Sequence, residues 1–210
     1  LYFMLGLPTE TDEDVLGIAD LAQKVYHVWR ENTPNRSRGV RITVSTSCFV
    51  PKSHTPFQWE AQNTQEEYLR KVTLLREHMR NKSITYNWHD PETSYLEAVL
   101  SRGDRRIADV IEEAWRHGAK FDSWSEYFNL QTWLTAMETC GVSPAFYANR
   151  VREKDEILPW HVISDGVKES YLWRERETAY AGKITPDCKV KCSGCGAMKF
   201  GGGVCFENKD

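Results

Sequence analysis

An α/β fold is expected at the start of this chain, followed by a mainly helical stretch and a cysteine-rich tail. Three observations carry that expectation. Leu1 to Leu5 is a continuous apolar run closed by the turn residues Gly6-Leu7-Pro8, which suits a strand buried on both faces. Val40 to Ser47 alternates apolar and polar residues, and a helix-period stretch lies between the two runs, so together they read as a βαβ unit. From Asp90 to about residue 182 helical patterning dominates, and four of the six cysteines come after it.

Taken in order, Thr9 and Thr11 stand where a helix N-cap is wanted, and Thr11-x-x-Asp14 approximates a capping box. Glu10, Asp12, Glu13 and Asp14 complement the positive end of the helix dipole. Val15, Ile18, Ala22, Val25 and Trp29 share one helical face, so this helix should reach about Glu31. In the second strand Val40, Ile42 and Val44 point one way and Arg41, Thr43, Ser45 and Ser47 the other. A polar row there fits either a strand facing a cavity or an exposed edge. Ligands of βαβ units bind beyond the carboxyl ends of the strands, so Gly6 to Glu10 and the end of the second strand should face one site.

The loop Cys48 to Trp59 is stiffened by Pro51 and Pro56 and carries His54, Phe57 and Trp59, which could wall a site or simply be buried. Thr64 with Glu67 opens a helix whose inner face is Leu69, Val72, Leu75 and Met79. Ser83 to Trp88 reads as a short strand, and Asp90-Pro91 starts another helix. Further helices are expected from Asp104 to His117, from Ser123 to Gly141 with Glu126 as box partner, from Ser143-Pro144, and from about Gly166 to Ala181. Arg102, Arg105 and Arg106 read as a solvated face, with an anion or RNA contact as the alternative. His54, His89 and His161 lie in loops and read as packing or surface residues.

Cys188-x3-Cys192-x2-Cys195, followed by Cys205, is the strongest motif. Thiolates this close among glycines suit tetrahedral zinc or an iron–sulfur cluster, and spacing does not choose between them. Cysteine usage of this kind fits a reducing cytoplasm better than a disulfide framework. Charge is nearly balanced, 27 basic against 30 acidic residues, so nothing global calls for nucleic acid or a membrane. No run approaches the roughly 20 apolar residues of a membrane span, and none reads as a signal peptide. The chain opens inside an apparent buried strand, which points to a C-terminal fragment of a longer protein.

Residues 1 to 59 resemble the last strands of a radical S-adenosylmethionine barrel. Phe3-Met4-Leu5-Gly6-Leu7-Pro8-Thr9-Glu10-Thr11 is similar to the next-to-last strand and turn of such enzymes, and Val44 to Phe57 to their closing strand and its loop. With Trp88-His89-Asp90-Pro91, Leu96 to Arg106, Phe121 to Glu126 and Thr185 to Cys188, the chain resembles radical S-adenosylmethionine proteins carrying a cobalamin-binding domain. The resemblance implies a partial (β/α)6 barrel over 1–62, a helical extension over 63–182 and a metal knuckle over 183–210. It implies that Met4, Gly6, Leu7, Pro8, Thr9, Glu10, Ser45 and Ser47 contact S-adenosylmethionine. It also implies a radical-generating 4Fe–4S cluster and a cobalamin bound upstream of residue 1, leaving Cys188, Cys192, Cys195 and Cys205 for an auxiliary cluster or zinc. The reaction implied is radical functionalisation of a C–H bond, methyl transfer through cobalamin included, on an unknown substrate for which RNA is one candidate. The rival reading is a non-enzymatic RNA- or protein-binding module with a structural zinc knuckle.

Overall fold

The computed structural model describes residues 1–35 and 37–200. Three strands, β1 (Tyr2–Leu5), β2 (Ile42–Cys48) and β3 (Ile84–Trp88), form one parallel sheet in the order β1-β2-β3. Tyr2 is registered with Ser45 and Leu5 with Cys48, while Ile42 stands beside Ile84 and Thr46 beside Trp88. Two helices, α1 (Asp12–Asn32) and α2 (Gln65–His78), make the crossovers. Both are held at their starts as the sequence suggests. Thr11 Oγ1 accepts the Asp14 N–H while the Asp14 carboxylate accepts the Thr11 N–H, and Thr64 Oγ1 accepts the Glu67 N–H. The Glu67 side chain turns to Arg70 instead of back to Thr64.

A partial (β/α)6 barrel is not what forms. The described strands make a small open sheet with three members where two were expected, because Ser83 to Trp88 pairs with β2 rather than standing apart. One face of this sheet is covered: Leu5, Ile42, Val44, Cys48 and Ile84 pack with Val15, Ile18, Ala19 and Ala22 of α1 and Tyr68, Val72 and Leu75 of α2. Burying such a side chain contributes about 1.5–3 kcal/mol, so this one-sided core accounts for the sheet's order. The stripe on α1 ends at Ala22; Val25, expected inside, is exposed. On the other face Tyr2, Met4, Thr43 and Ser47 are exposed.

Five helices follow: α3 (Pro91–Arg102), α4 (Ile107–Arg116), α5 (Leu130–Thr139), α6 (Pro144–Ala148) and α7 (Glu169–Tyr180). Helices α3 to α6 share a second core in which Val99, Val110, Ala114, Ala136 and Met137 are buried. Helix α5 starts seven residues later than the sequence suggested. Ser123 to Tyr127 is a pair of turns, and Asn129 caps α5 by accepting the Gln131 N–H. A third core joins Trp59, Leu158, Trp160 and Leu172, with the Trp173 ring edge-on to Trp59 at 5.0 Å. It seats α7 against the loop that leaves β2. Glu60 completes the seat, accepting from Arg176 Nε at 2.5 Å and Tyr180 Oη at 2.9 Å.

Candidate functional site

The turn after β1 is fixed by an unusual set of contacts. Gly6 has φ +92°, a conformation that favours glycine, and a Cβ there would lie 2.5 Å from Asn63 Oδ1, so another residue would be strained and would displace the Asn63 side chain. Its N–H is shared by both carboxylate oxygens of Glu10, at 3.0 and 3.1 Å. Lys71 Nζ, 61 residues away in sequence, meets Glu10 Oε1 at 2.7 Å. The Lys71 and Glu10 side chains are only 5% and 7% exposed, which makes this a buried ion pair pinning the turn to α2. Thr9 is held at φ +68°. A β-branched residue in that region is strained by about 1–3 kcal/mol, and such strain clusters at ligand sites.

All three strands point their carboxyl ends toward one cleft of about 520 Å³. Met4 and Leu7 border it from the β1 side, Ser47 from β2 and His89 from just beyond β3, with Phe57 opposite. A neighbouring hollow of about 300 Å³ continues over the open sheet face along Tyr2, Ser45, Ser47 and Asn87. Ser45 and Ser47 of the polar row border this hollow and Arg41 and Thr43 are exposed outside it; β2 is the middle strand, so the exposed-edge reading of its alternation does not hold. Leu7 also borders a more polar depression of about 340 Å³ that reaches Gly6, Pro8, Thr9 and Glu10. The residues expected to contact S-adenosylmethionine thus divide among three hollows: Met4, Leu7 and Ser47 border the cleft, Ser45 the open sheet face, and Gly6, Pro8, Thr9 and Glu10 the polar depression. Glu10 differs from the others in that its carboxylate is already committed to Gly6 and Lys71.

The cleft also contains His89, which the sequence reads as a packing or surface residue, and Lys52 and Glu97, which it does not single out. His89 donates its backbone N–H to the Thr46 carbonyl and sets its ring nitrogen Nδ1 3.1 Å from Ser94 Oγ. Lys52 and Glu97 form a close ion pair on the rim. Had β3 been read as a third parallel strand, the carboxyl-end rule would have singled out His89 at once. Cys48 lines the cleft as well, but burial pushes its thiol up to about 11, against a weaker opposing hydrogen bond from Gln62. At neutral pH it is a thiol and not a nucleophile.

One wall, the loop from Pro51 to Glu60, hangs on Arg102. Fully buried at the end of α3, Arg102 donates to the carbonyls of Pro51 (3.0 Å), Glu60 (2.7 Å), Tyr147 (3.0 Å) and, more weakly, Gln58 (3.4 Å). The expectation that Arg102 belongs to a solvated or RNA-contacting face is therefore overturned. Carbonyl dipoles from four separate points substitute for water around its charge. Arg106 instead pairs with Asp104, which also accepts from Tyr147 Oη.

The cysteine-rich tail does not present the expected metal knuckle. Cys188 and Cys192 are exposed and Cys195 partly buried, and among the described residues no group of three or more His, Cys, Asp or Glu is placed to hold a metal ion. Cys205 lies outside the described residues. What orders the segment near Cys195 is its own backbone: the Cys195 carbonyl accepts the Lys168 N–H at 2.8 Å, and the Ser193 carbonyl accepts from Arg174 at 2.5 Å. Among the described residues no helix is long and apolar enough to cross a membrane.

No family model matches the chain, and no solved structure matches it. It is similar to an uncharacterized protein of Methanocaldococcus jannaschii, with 26% identity over 112 residues. That match covers 53% of this chain but 22% of the relative, so the chain spans only about a fifth of that protein's length.

Proposed function

We propose that this chain supplies part of the S-adenosylmethionine site of a radical enzyme acting in a reducing cytoplasm. The observation that carries the reading is the 520 Å³ cleft at the carboxyl ends of three parallel strands, bordered by the Gly6 turn and Ser47. Its size suits a ligand of that class, whose sites are mostly apolar with a few placed polar groups. Met4, Leu7 and Phe57 offer apolar surface to an adenine ring, and Ser45, Ser47 and the backbone beyond Gly6 offer hydrogen bonds to ribose and the amino-acid end. The resemblance of Phe3 to Thr11 and of Val44 to Phe57 supports the same assignment. The 4Fe–4S cluster and cobalamin of that reading belong to segments outside this chain, and would supply the electron for sulfonium cleavage and the methyl group for transfer. The task of the residues here is to bind and orient the cofactor and to exclude water. Burial of Arg102 removes one of the three arginines that could have formed an RNA contact.

Equilibrium dialysis of the full-length protein against S-adenosylmethionine tests the reading. Saturable binding is expected, weakened at least about tenfold by Ser47→Leu, which fills the cleft, with folding monitored by circular dichroism. Absence of binding by the folded protein, or binding indifferent to Ser47→Leu, would refute it.

A further inference from the structure

Two of the hollows at the strand ends meet along a ridge. Ser47 and His89 border both the 520 Å³ cleft and the 300 Å³ hollow over the open sheet face. Met4 is registered with Ser47, and Thr46 with Trp88, so His89 continues the ladder as the neighbour of Ser47. Its position is fixed at three points. The His89 N–H donates to the Thr46 carbonyl at 2.9 Å, the His89 carbonyl accepts from Tyr68 Oη at 3.2 Å, and ring Nδ1 lies 3.1 Å from Ser94 Oγ. Tyr68 and Ser94 are each only 1% exposed, so two of these anchors are built into the interior. His89 itself is exposed, and among the described residues its Nε2 has no hydrogen-bond partner. A hydroxyl can donate to Nδ1 or accept from it, so Ser94 holds the ring in its neutral and its protonated form alike.

The ligand assigned to the cleft carries a positive sulfonium, whereas S-adenosylhomocysteine, the same molecule without its methyl group, carries none. Its sulfur joins the ribose to the amino-acid end. With the adenine against Met4, Leu7 and Phe57, and Ser47 at the ribose, that sulfur lies along the ridge beside His89. Resting on that reading, we propose that His89 discriminates the sulfonium cofactor from its uncharged thioether, with Ser94 as its positioning residue. The neutral imidazole accepts a cation beside Nε2, and the protonated ring repels it. Other groups around His89 leave the charge change to it. Burial pushes the Cys48 thiol up to about 11 and the Tyr68 phenol up to about 12, and raises Tyr86 as well. Lys52 and Glu97 pair with each other, and Asp90 caps α3 by accepting the Thr93 N–H. Histidine ordinarily changes charge between about pH 5 and 8, where carboxylates and ammonium groups ordinarily do not.

The test is equilibrium dialysis of the full-length protein against S-adenosylmethionine and S-adenosylhomocysteine, without reductant so that neither is consumed. The amino-acid ends of the two ligands are identical, so their titration largely cancels in the ratio of affinities. From about pH 5.5 to about pH 8 that ratio should rise at least about fivefold in favour of S-adenosylmethionine. It should stay flat in His89→Asn, which keeps a polar group for Ser94 and loses Nε2, and the swing should shrink in Ser94→Ala, with circular dichroism reporting the fold of both variants. In the unaltered protein, the carbon–proton NMR signals of the His89 ring should titrate at lower pH with S-adenosylmethionine bound than with S-adenosylhomocysteine. Failure of the folded protein to bind either ligand would remove the cleft reading and this inference together. Binding with a ratio indifferent to pH, the same swing in His89→Asn, or ring signals that titrate alike with both ligands would overturn the inference and leave the cleft reading standing.

Discussion

Replacing Lys71 by Met isolates the interaction that holds the candidate site together. The stem of the side chain is preserved, and the ammonium that meets Glu10 at 2.7 Å is lost. Glu10 is then a carboxylate 7% exposed whose remaining recorded donor is the single N–H of Gly6. Removing one partner of a buried pair costs about 3–5 kcal/mol, because the other charge stays desolvated. With a urea m value of about 2–3 kcal/mol/M, the unfolding midpoint should fall by roughly 1–2.5 M, followed by tryptophan fluorescence. The double variant Glu10→Gln with Lys71→Met removes both charges and keeps an acceptor for the Gly6 N–H. It should recover most of the loss, with a coupling of about 2 kcal/mol or more. A midpoint unchanged in Lys71→Met, or a double variant whose loss equals the sum of the two singles, would show that the pair does not hold the turn.

Other consequences are as direct. Arg102→Met takes the Arg102 donor from the carbonyls of Pro51, Gln58 and Glu60, while Tyr147 keeps Arg152, and should cost about 3–5 kcal/mol in the same urea assay; Arg102→Lys should not rescue it, since an ammonium cannot reach points spread over a planar fork. Native Cys48 should resist iodoacetamide at pH 8, where a thiol raised to about 11 is roughly one part in a thousand thiolate, while exposed Cys188 and Cys192 react; peptide mapping by mass spectrometry distinguishes them. The side-chain hydrogen bond from Arg106 holds the Asp104 carboxyl below the usual range. Its stabilisation is therefore complete above about pH 4, the unfolded value, and is lost as pH falls further. Asp104→Asn should flatten the urea midpoint between pH 4 and pH 2, and an unchanged slope would count against the pairing.

Local signals were legible in the sequence and distant ones were not. Thr11 with Asp14, Thr64, and Asp90 before Pro91 each act within one helical turn, so their caps follow from spacing alone. Alternation in β2 likewise foretold its open polar face. Pairing of β3 with β2 depends on a crossover through α2, and nothing within Ser83 to Trp88 announces it. The same holds for Lys71, which finds Glu10 only once α2 crosses behind the β1 turn, and for Arg102, whose four carbonyls come from residues 51, 58, 60 and 147. Three arginines near a helix start look alike in sequence, yet one is entirely buried and another lies on the surface. The cleft was legible as a pair of strand ends. Its third member, His89, reads as a packing or surface residue in the sequence, because the pairing of β3 with β2 is not visible there.

Hydrogen exchange of the full-length protein with and without S-adenosylmethionine tests the central claim most directly. Binding at the strand ends should slow exchange of the Leu7, Thr9 and Glu10 amides and of Ser47 to Val50, leaving helices α4 and α5 unchanged. Cofactor binding that leaves both of those segments unprotected, or that protects only residues remote from the cleft, would contradict the assignment of this corner as the cofactor site.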